Sequence, residues 1–354
     1  MLFAADMRLL RRLVMNPGMR QSDLAKDLHV SRPMVNQTWQ KLAHDNGLRV
    51  KSNIDYGQVG MSLVFGWAQA SETSDRLRDF YTWLESNVHT AEVTESVMSS
   101  RSNAAVYFEV IIPPSDTPPF PSRFMEWSSD TSSDFAIKYD LAREVSNHLN
   151  MGLFDGGQWT LDEGFRFEAS TGAVKDYADV LPTMSSLKLS KPVTATIDNM
   201  AILSVLEDNY HASVGEVTKY MSHLGLQSVP ERTLRRRIDI IRRRMTLPYV
   251  TLSNIGLTDR FFLCIDSGTQ ESTLSRALHI QASTLPKARV LSGRSLSVLS
   301  IELPSLRNWL ALTSSLMQIT KSPAETLTFI AQESATKNTL EQAIQGVTRK
   351  HGHA

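Results

Sequence analysis

Arg32, Asn36, Gln37 and Gln40 fall together in the stretch "VSRPMVNQTWQKL", while Val35, Trp39 and Leu42 recur at spacings of four and three. On a helix this puts the apolar residues on one face and leaves the guanidinium and the amides pointing outward. An Asn or Gln amide offers a donor and an acceptor side by side and can pair bidentately with adenine in the major groove, as Arg does with guanine. The outer face therefore suits base reading. Lys41 on the same helix, and Arg49 and Lys51 just after it, are placed for phosphates, with Arg8, Arg11 and Arg12 close by. A merely solvated helix is the alternative.

A second stretch, "VPERTLRRRIDII", has a different outer face, Arg232, Arg235, Arg236 and Arg237, followed by Arg242, Arg243 and Arg244. Such a face attracts phosphates more than it discriminates bases, and Glu231 stands where the first stretch has Arg32. The alternative is that these arginines pair with acidic residues such as Glu72, Asp75, Asp79, Glu85, Glu92 and Glu95. Total charge conceals both islands, since 37 basic residues balance 37 acidic ones. Residues 1–51 nevertheless carry nine basic residues against four acidic, and residues 231–244 seven arginines against two acids.

The elements that would position these faces can be read locally. Met7 to Met15 has helical periodicity and ends at "NPG"; a short helix follows with Ser22 as its cap and Leu24, Ala25 and Leu28 inside; Ser31 caps the third, with Pro33 in its tolerant first turn. "GLRVKSNIDYGQVG" then reads as a short strand pair with a basic tip, giving a winged helix-turn-helix. Downstream the order strand, helix, strand, strand, helix, strand predicts a ferredoxin-like βαββαβ unit. The whole arrangement recurs. "VSRPMVNQTWQKL" aligns without gaps to "VPERTLRRRIDII", "DMRLLRRLVMNP" matches "DNMAILSVLEDN", and "ARVLSGRSLSVLSIELP" mirrors the longer "AEVTESVMSSRSNAAVYFEVIIP". The predicted fold class is thus α+β: winged helix-turn-helix (1–57), ferredoxin-like domain (58–149), connector with one hairpin (150–192), then a second winged helix-turn-helix (193–256), a second ferredoxin-like domain (257–332) and a C-terminal helix or tail (333–354).

"LAKDLHVSRPMVNQTWQKLAHDNGL" and the following "IDYGQVG" resemble the helix-turn-helix and lead-in of the Lrp/AsnC family of transcription regulators. The resemblance covers about Ala5 to Pro113 and, more faintly, Asp198 to Pro304. It implies a regulator bound to double-stranded DNA, with ferredoxin-like sheets that pair, here inside one chain as a pseudo-dimer, alone or in a further homo-oligomer. It also implies a small-molecule effector at the turn between the second and third strands of each unit. Those turns hold Arg101 and Ser102 in one copy and Gly293, Arg294 and Ser295 in the other, without the family's acidic residue. A changed ligand, such as an anion, is one reading of them, and a ligand-free turn the other.

Siroheme decarboxylases resemble the same family and include fused two-copy chains, so they are the enzymatic alternative; His89, His148, His211 or His279 would then serve a tetrapyrrole pocket. A DNA-wrapping architectural protein is the third. No Gly-rich phosphate loop and no clustered His/Cys spacing is present, so neither cofactor nor metal is expected. The lone Cys264 in "RFFLCID" reads as a buried strand residue, and no long apolar run stands out. A cytoplasmic protein with no membrane partner is expected.

Overall fold

The computed structural model describes residues 2–71, 75–87, 89–99, 103–112, 120–128, 135–160, 196–268, 272–304, 325–331 and 335–336. The chain is a mixed α+β protein with two three-helix units and a large antiparallel sheet. The first helical unit is α1 (Ala4–Met15), α2 (Gln21–Asp27) and α3 (Arg32–Asn46). Ser31 caps α3 by accepting the Met34 N–H at 3.4 Å, and Gly47 ends it with φ +57°, where a side chain would be strained. Ser22 proves not to be a cap, because α2 begins at Gln21 after Arg20. The inner faces are as expected: Leu9, Leu10 and Leu13 pack with Leu24, Ala25, Val35 and Leu42.

The second helical unit is α6 (Ile197–Asp208), α7 (Val214–His223) and α8 (Glu231–Met245). α8 matches α3 in the expected register, with Leu234, Ile238 and Ile241 buried where the first copy has Val35, Trp39 and Leu42. The α1 and α6 ends shift the first-helix alignment by one residue. Leu9, Leu10 and Leu13 correspond to Ile202, Leu203 and Leu206, all buried, and Asn16 to Asn209, both C-caps.

The strand that follows each helical unit does not fold back on its own unit. β1 (Arg49–Ile54) pairs antiparallel with β7 (Thr246–Thr251), from Arg49 opposite Thr251 to Ile54 opposite Thr246. The expected hairpin wing is thereby corrected to one two-stranded ribbon shared by both copies. Ser52 donates to the Leu206 carbonyl of α6 at 2.7 Å, and Val250, Leu252 and Ile255 enter the core of the first helical unit. Each wing strand thus completes the other copy's domain.

β2 (Ser62–Ser71), α4 (Asp75–Ser86), β3 (Thr90–Ser99), β4 (Asn103–Ile112), α5 (Phe120–Ser128) and β5 (Phe135–Leu141) form the first βαββαβ unit, with strand order β5-β2-β4-β3. In the second, β8 (Asp259–Asp266), α9 (Ser272–Ser283), β9 (Lys287–Ser292), β10 (Leu296–Leu303) and β11 (Glu325–Ala331) give the matching order β11-β8-β10-β9. β3 pairs with β11, so the two units share one sheet. β6 (Glu144–Leu149), expected at the end of the first unit, pairs with β9 of the second. Only Ala142 and Arg143 separate β5 from β6, yet these strands are the two ends of the sheet, which must therefore curl until its ends meet.

Inside the curl Phe65, Trp67 and Tyr107 meet Phe262, Cys264, Leu291 and Phe329, with the Tyr107 and Phe262 rings 4.7 Å apart. The alternate residues, such as Val64, Ala68 and Phe108, pack outward with Leu77, Phe80 and Leu84 of α4, while Leu263 and Ile265 pack with Leu278 of α9. Burial on both sheet faces explains why these strands read as nearly continuous apolar runs. Burial also pushes the Cys264 thiol pKa up, in keeping with an inert core residue.

The first part of the connector is bound to the first helical unit. Phe154 and Trp159 face each other across a bridge, the Leu2 N–H donates to Gly156, and the Trp159 indole donates to the Ile255 carbonyl at 2.6 Å. Residues 161–195 lie outside the described residues. In the tail, β12 (Ala335–Thr336) pairs with β3, and residues 337–354 lie outside. No helix among the described residues is long and apolar enough to cross a membrane.

Candidate nucleic-acid interface and central cavity

Arg32, Asn36, Gln37 and Gln40 are all exposed on α3, beside an exposed Met34. Lys41 leaves this face: its Nζ lies 2.7 Å from the buried Asp6 carboxylate and over the Phe3 ring. Arg49 is exposed on the ribbon, whereas Lys51 pairs with Asp208 at 3.1 Å. The α1 arginines are also engaged within the chain. Arg8 donates to the Leu28 carbonyl, Arg11 to Met151 and Phe154, and Arg12 pairs with Asp27.

On α8, Arg232, Arg236, Arg243 and Arg244 are exposed and have no acidic partner among the described residues. Arg235 pairs along the helix with Glu231, and Arg237 with Asp198. Arg242 is committed to the Tyr210 and Ala212 carbonyls, and burial lowers its pKa. The suggested pairing of these arginines with the ferredoxin-like units does not occur among the described residues; Glu92, one of the acids named for it, bonds Arg260 instead.

The turn Gly293–Ser295 does hold an anion, but one from its own chain. Asp140 of β5 accepts the Ser295 N–H at 2.6 Å, the Ser295 hydroxyl at 3.2 Å and the Leu296 N–H at 3.1 Å. A Cβ on Gly293 would stand 2.5 Å from that carboxylate, so glycine is what permits the approach. Arg294 points outward, exposed. Asp140→Ala should leave those donors unpaired and cost about 1–3 kcal/mol of stability; an unshifted thermal midpoint would contradict this role. Arg101 and Ser102 lie outside the described residues.

Between the ribbon and the sheet lies a cavity of about 660 Å³ that no local motif announced. Its basic walls are Lys51, Arg260, Lys287 and Arg289, and each is paired: with Asp208, Glu92, Glu302 and Glu109 respectively. Burial opposes ionisation of Arg260 and Arg289, but the facing glutamates outweigh it and raise both pKa values. A signal was present in the sequence: Glu109 interrupts the otherwise apolar run of β4, and a charge there demands a partner.

Glu207, at the end of α6, also lines the cavity and, among the described residues, accepts only the Tyr56 hydroxyl, at 2.8 Å. Burial pushes its pKa up to about 7 from an ordinary 4.5, with Asp208 adding to the rise. Between those values the unfolded carboxyl ionises while the folded one keeps its proton, so this group costs stability as pH rises. Glu207→Gln removes that cost. Its thermal midpoint should draw ahead of the parent's between pH 4.5 and 7 and keep a level lead above; a pH-independent difference would contradict the assignment.

The four histidines do not assemble at one place. His148 lines the cavity, His211 lies beside Pro17 and Trp39 between the helical units, His279 is on α9 and His89 follows α4. Ser146 links two of them, at 3.0 Å from His148 and 2.6 Å from His279, and burial lowers their pKa values to about 4 and about 3. Both are therefore neutral at pH 7. No cluster of metal-ligating side chains occurs among the described residues.

No family model and no curated protein matches the chain. Among solved structures it is similar to the siroheme decarboxylase NirDL, at 10% identity and a TM-score of 0.54, over 98% of this chain and 100% of that one. The same decarboxylase in complex with an iron-uroporphyrin III analogue matches at 9% identity and a TM-score of 0.55, over 98% and 99% of the two chains. At such identity the likeness is one of fold.

Proposed function

We propose that the protein is a double-stranded-DNA-binding transcription regulator in which α3 reads bases and α8 grips phosphates. The observation that carries this reading is the state of the two outer helix faces. Arg32, Asn36, Gln37 and Gln40 on one, and Arg232, Arg236, Arg243 and Arg244 on the other, are exposed and make no ion pair among the described residues. Elsewhere in this chain basic side chains are commonly spent on internal carboxylates or carbonyls. Arg235 adds to the phosphate-gripping set at small cost, since an exposed pair within one helix opens easily.

The shared ribbon and sheet fix the helical units relative to each other, so one chain would present two unlike recognition helices as an internal pseudo-dimer. Its operator should then be asymmetric, one half defined in sequence and the other tolerant, with the halves about one helical turn or a multiple apart. The Asp140 clasp removes the anion-binding reason to place an effector at Gly293–Ser295.

The siroheme decarboxylase fold likeness keeps one rival in view, and the cavity's charge speaks against it. Siroheme is a polycarboxylated tetrapyrrole, whereas each basic group on the cavity wall is already matched by a carboxylate. The test is binding of labelled duplexes over a salt series, beside an absorption titration with siroheme. Duplex binding with log K falling linearly in log salt supports the regulator. A tetrapyrrole band with no duplex binding at low salt would replace it with the enzyme.

A further inference from the structure

The central cavity is more acidic than its ion pairs require. Once Lys51, Arg260, Lys287 and Arg289 are matched to their partners, the carboxylates of Glu207 and Asp259 remain on its wall. Asp259, half-buried at the start of β8, makes no side-chain hydrogen bond or ion pair among the described residues. Tyr249 on the ribbon is a second, independent sign. Its hydroxyl has no hydrogen-bond partner among the described residues, although it is shielded enough that burial pushes its pKa up to about 12. An unpartnered hydroxyl and two carboxyl groups with no ion-pair partner among the described residues thus line one space large enough for a small molecule, in which each Lys and Arg is already matched.

We infer that this cavity binds a small aliphatic amine carrying one or two positive charges, with Glu207 and Asp259 as its counter-ions and Tyr249 accepting an N–H. The ligand would lie between the ribbon that joins the helical units and the sheet beneath. Its site is contributed by both copies: Glu207, Asp259 and Tyr249 come from the second, and Tyr56 and Lys51 from the first. Binding is independent of the DNA-binding reading and is measured without DNA.

The amine must ionise Glu207, which Tyr56, Lys51 and Arg289 face with stabilising bonds or charge and Asp208 with a repelling one. Ionisation of a group with a pKa near 7 makes binding about tenfold tighter at pH 8 than at pH 6. Titration calorimetry with 1,4-diaminobutane tests this, with 1,4-butanediol as the uncharged control. One saturable site is expected for the diamine and none for the diol, with the tightening from pH 6 to 8 and release of up to one proton at the lower pH.

Glu207→Gln should abolish the pH dependence, and Glu207→Gln and Asp259→Asn should each weaken binding at least tenfold. Tyr249→Phe, which removes one oxygen and keeps the ring, should weaken it several-fold and serves if either carboxylate variant fails to fold. No saturable heat with the diamine, equal binding of the diol, or unchanged affinity in the folded variants would each overturn the site.

Discussion

Replacing Arg232, Arg236, Arg243 and Arg244 together by alanine should lower duplex affinity on the order of a hundredfold at low salt and flatten the log K against log salt slope by roughly 0.9 for each phosphate no longer neutralised. The size of the effect follows from where these side chains stand. They are exposed on α8, whose buried face is Leu234, Ile238, Ile241 and Met245, and they hold no carboxylate among the described residues. Alanine favours a helix at least as well as arginine, so the fold should survive and the weakening should be electrostatic. Affinity would fall alike on every sequence. A full-strength slope in the variant would make these arginines mere surface charge and remove α8 from the interface.

The second large effect concerns stability. Arg289→Ala should cost about 3–5 kcal/mol, because it strips a buried carboxylate of its counter-charge. Glu109 is only 2% exposed and takes Arg289 at both Nε (3.0 Å) and Nη2 (2.6 Å), while also accepting the Tyr107 hydroxyl at 2.7 Å. Arg289 sits on β9 of the second unit and Glu109 on β4 of the first, so the pair also ties the two copies across the cavity. A combined Arg289→Met and Glu109→Leu chain should recover much of the stability, since a buried ion pair replaced by apolar groups of similar size is often neutral. Denaturant midpoints of the two variants check this. A cost under 1 kcal/mol for Arg289→Ala would mean that Glu109 is solvated or held by other groups.

How far the sequence could be read depended on whether a feature was local. The α3 face was legible because its spacing of apolar residues repeats 199 positions later in α8, and core packing imposes the same pattern on both. The first-helix match slipped by one residue because both helices are apolar enough to align in either register, and only the caps at Asn16 and Asn209 decide it. The shared ribbon was not legible. "RVKSNI" looks like half of a hairpin, and nothing in its own residues says that its partner is "TLPYVT" in the other copy.

The same holds for β6, which falls inside the span read as the first ferredoxin-like domain while the curl of the sheet delivers it to the second. The cavity was hidden for a related reason: its walls come from strands and a helix end spread between Lys51 and Ala331. Only Glu109, embedded in the apolar run of β4, hinted at it. Lys41 and Lys51 show the limit of reading charge from sequence, since each had an internal carboxylate waiting at the end of a distant or preceding helix.

Selection from a pool of random duplexes, run in parallel on the parent chain and on Gln37→Ala, tests the base-reading role of α3 most directly. The parent should enrich an asymmetric site with one well-defined half, and Gln37→Ala should lose on the order of 1–3 kcal/mol on that site while binding random duplexes as before. Recovery of a pool no different from the input, or an equal weakening by Gln37→Ala on all duplexes, would contradict it.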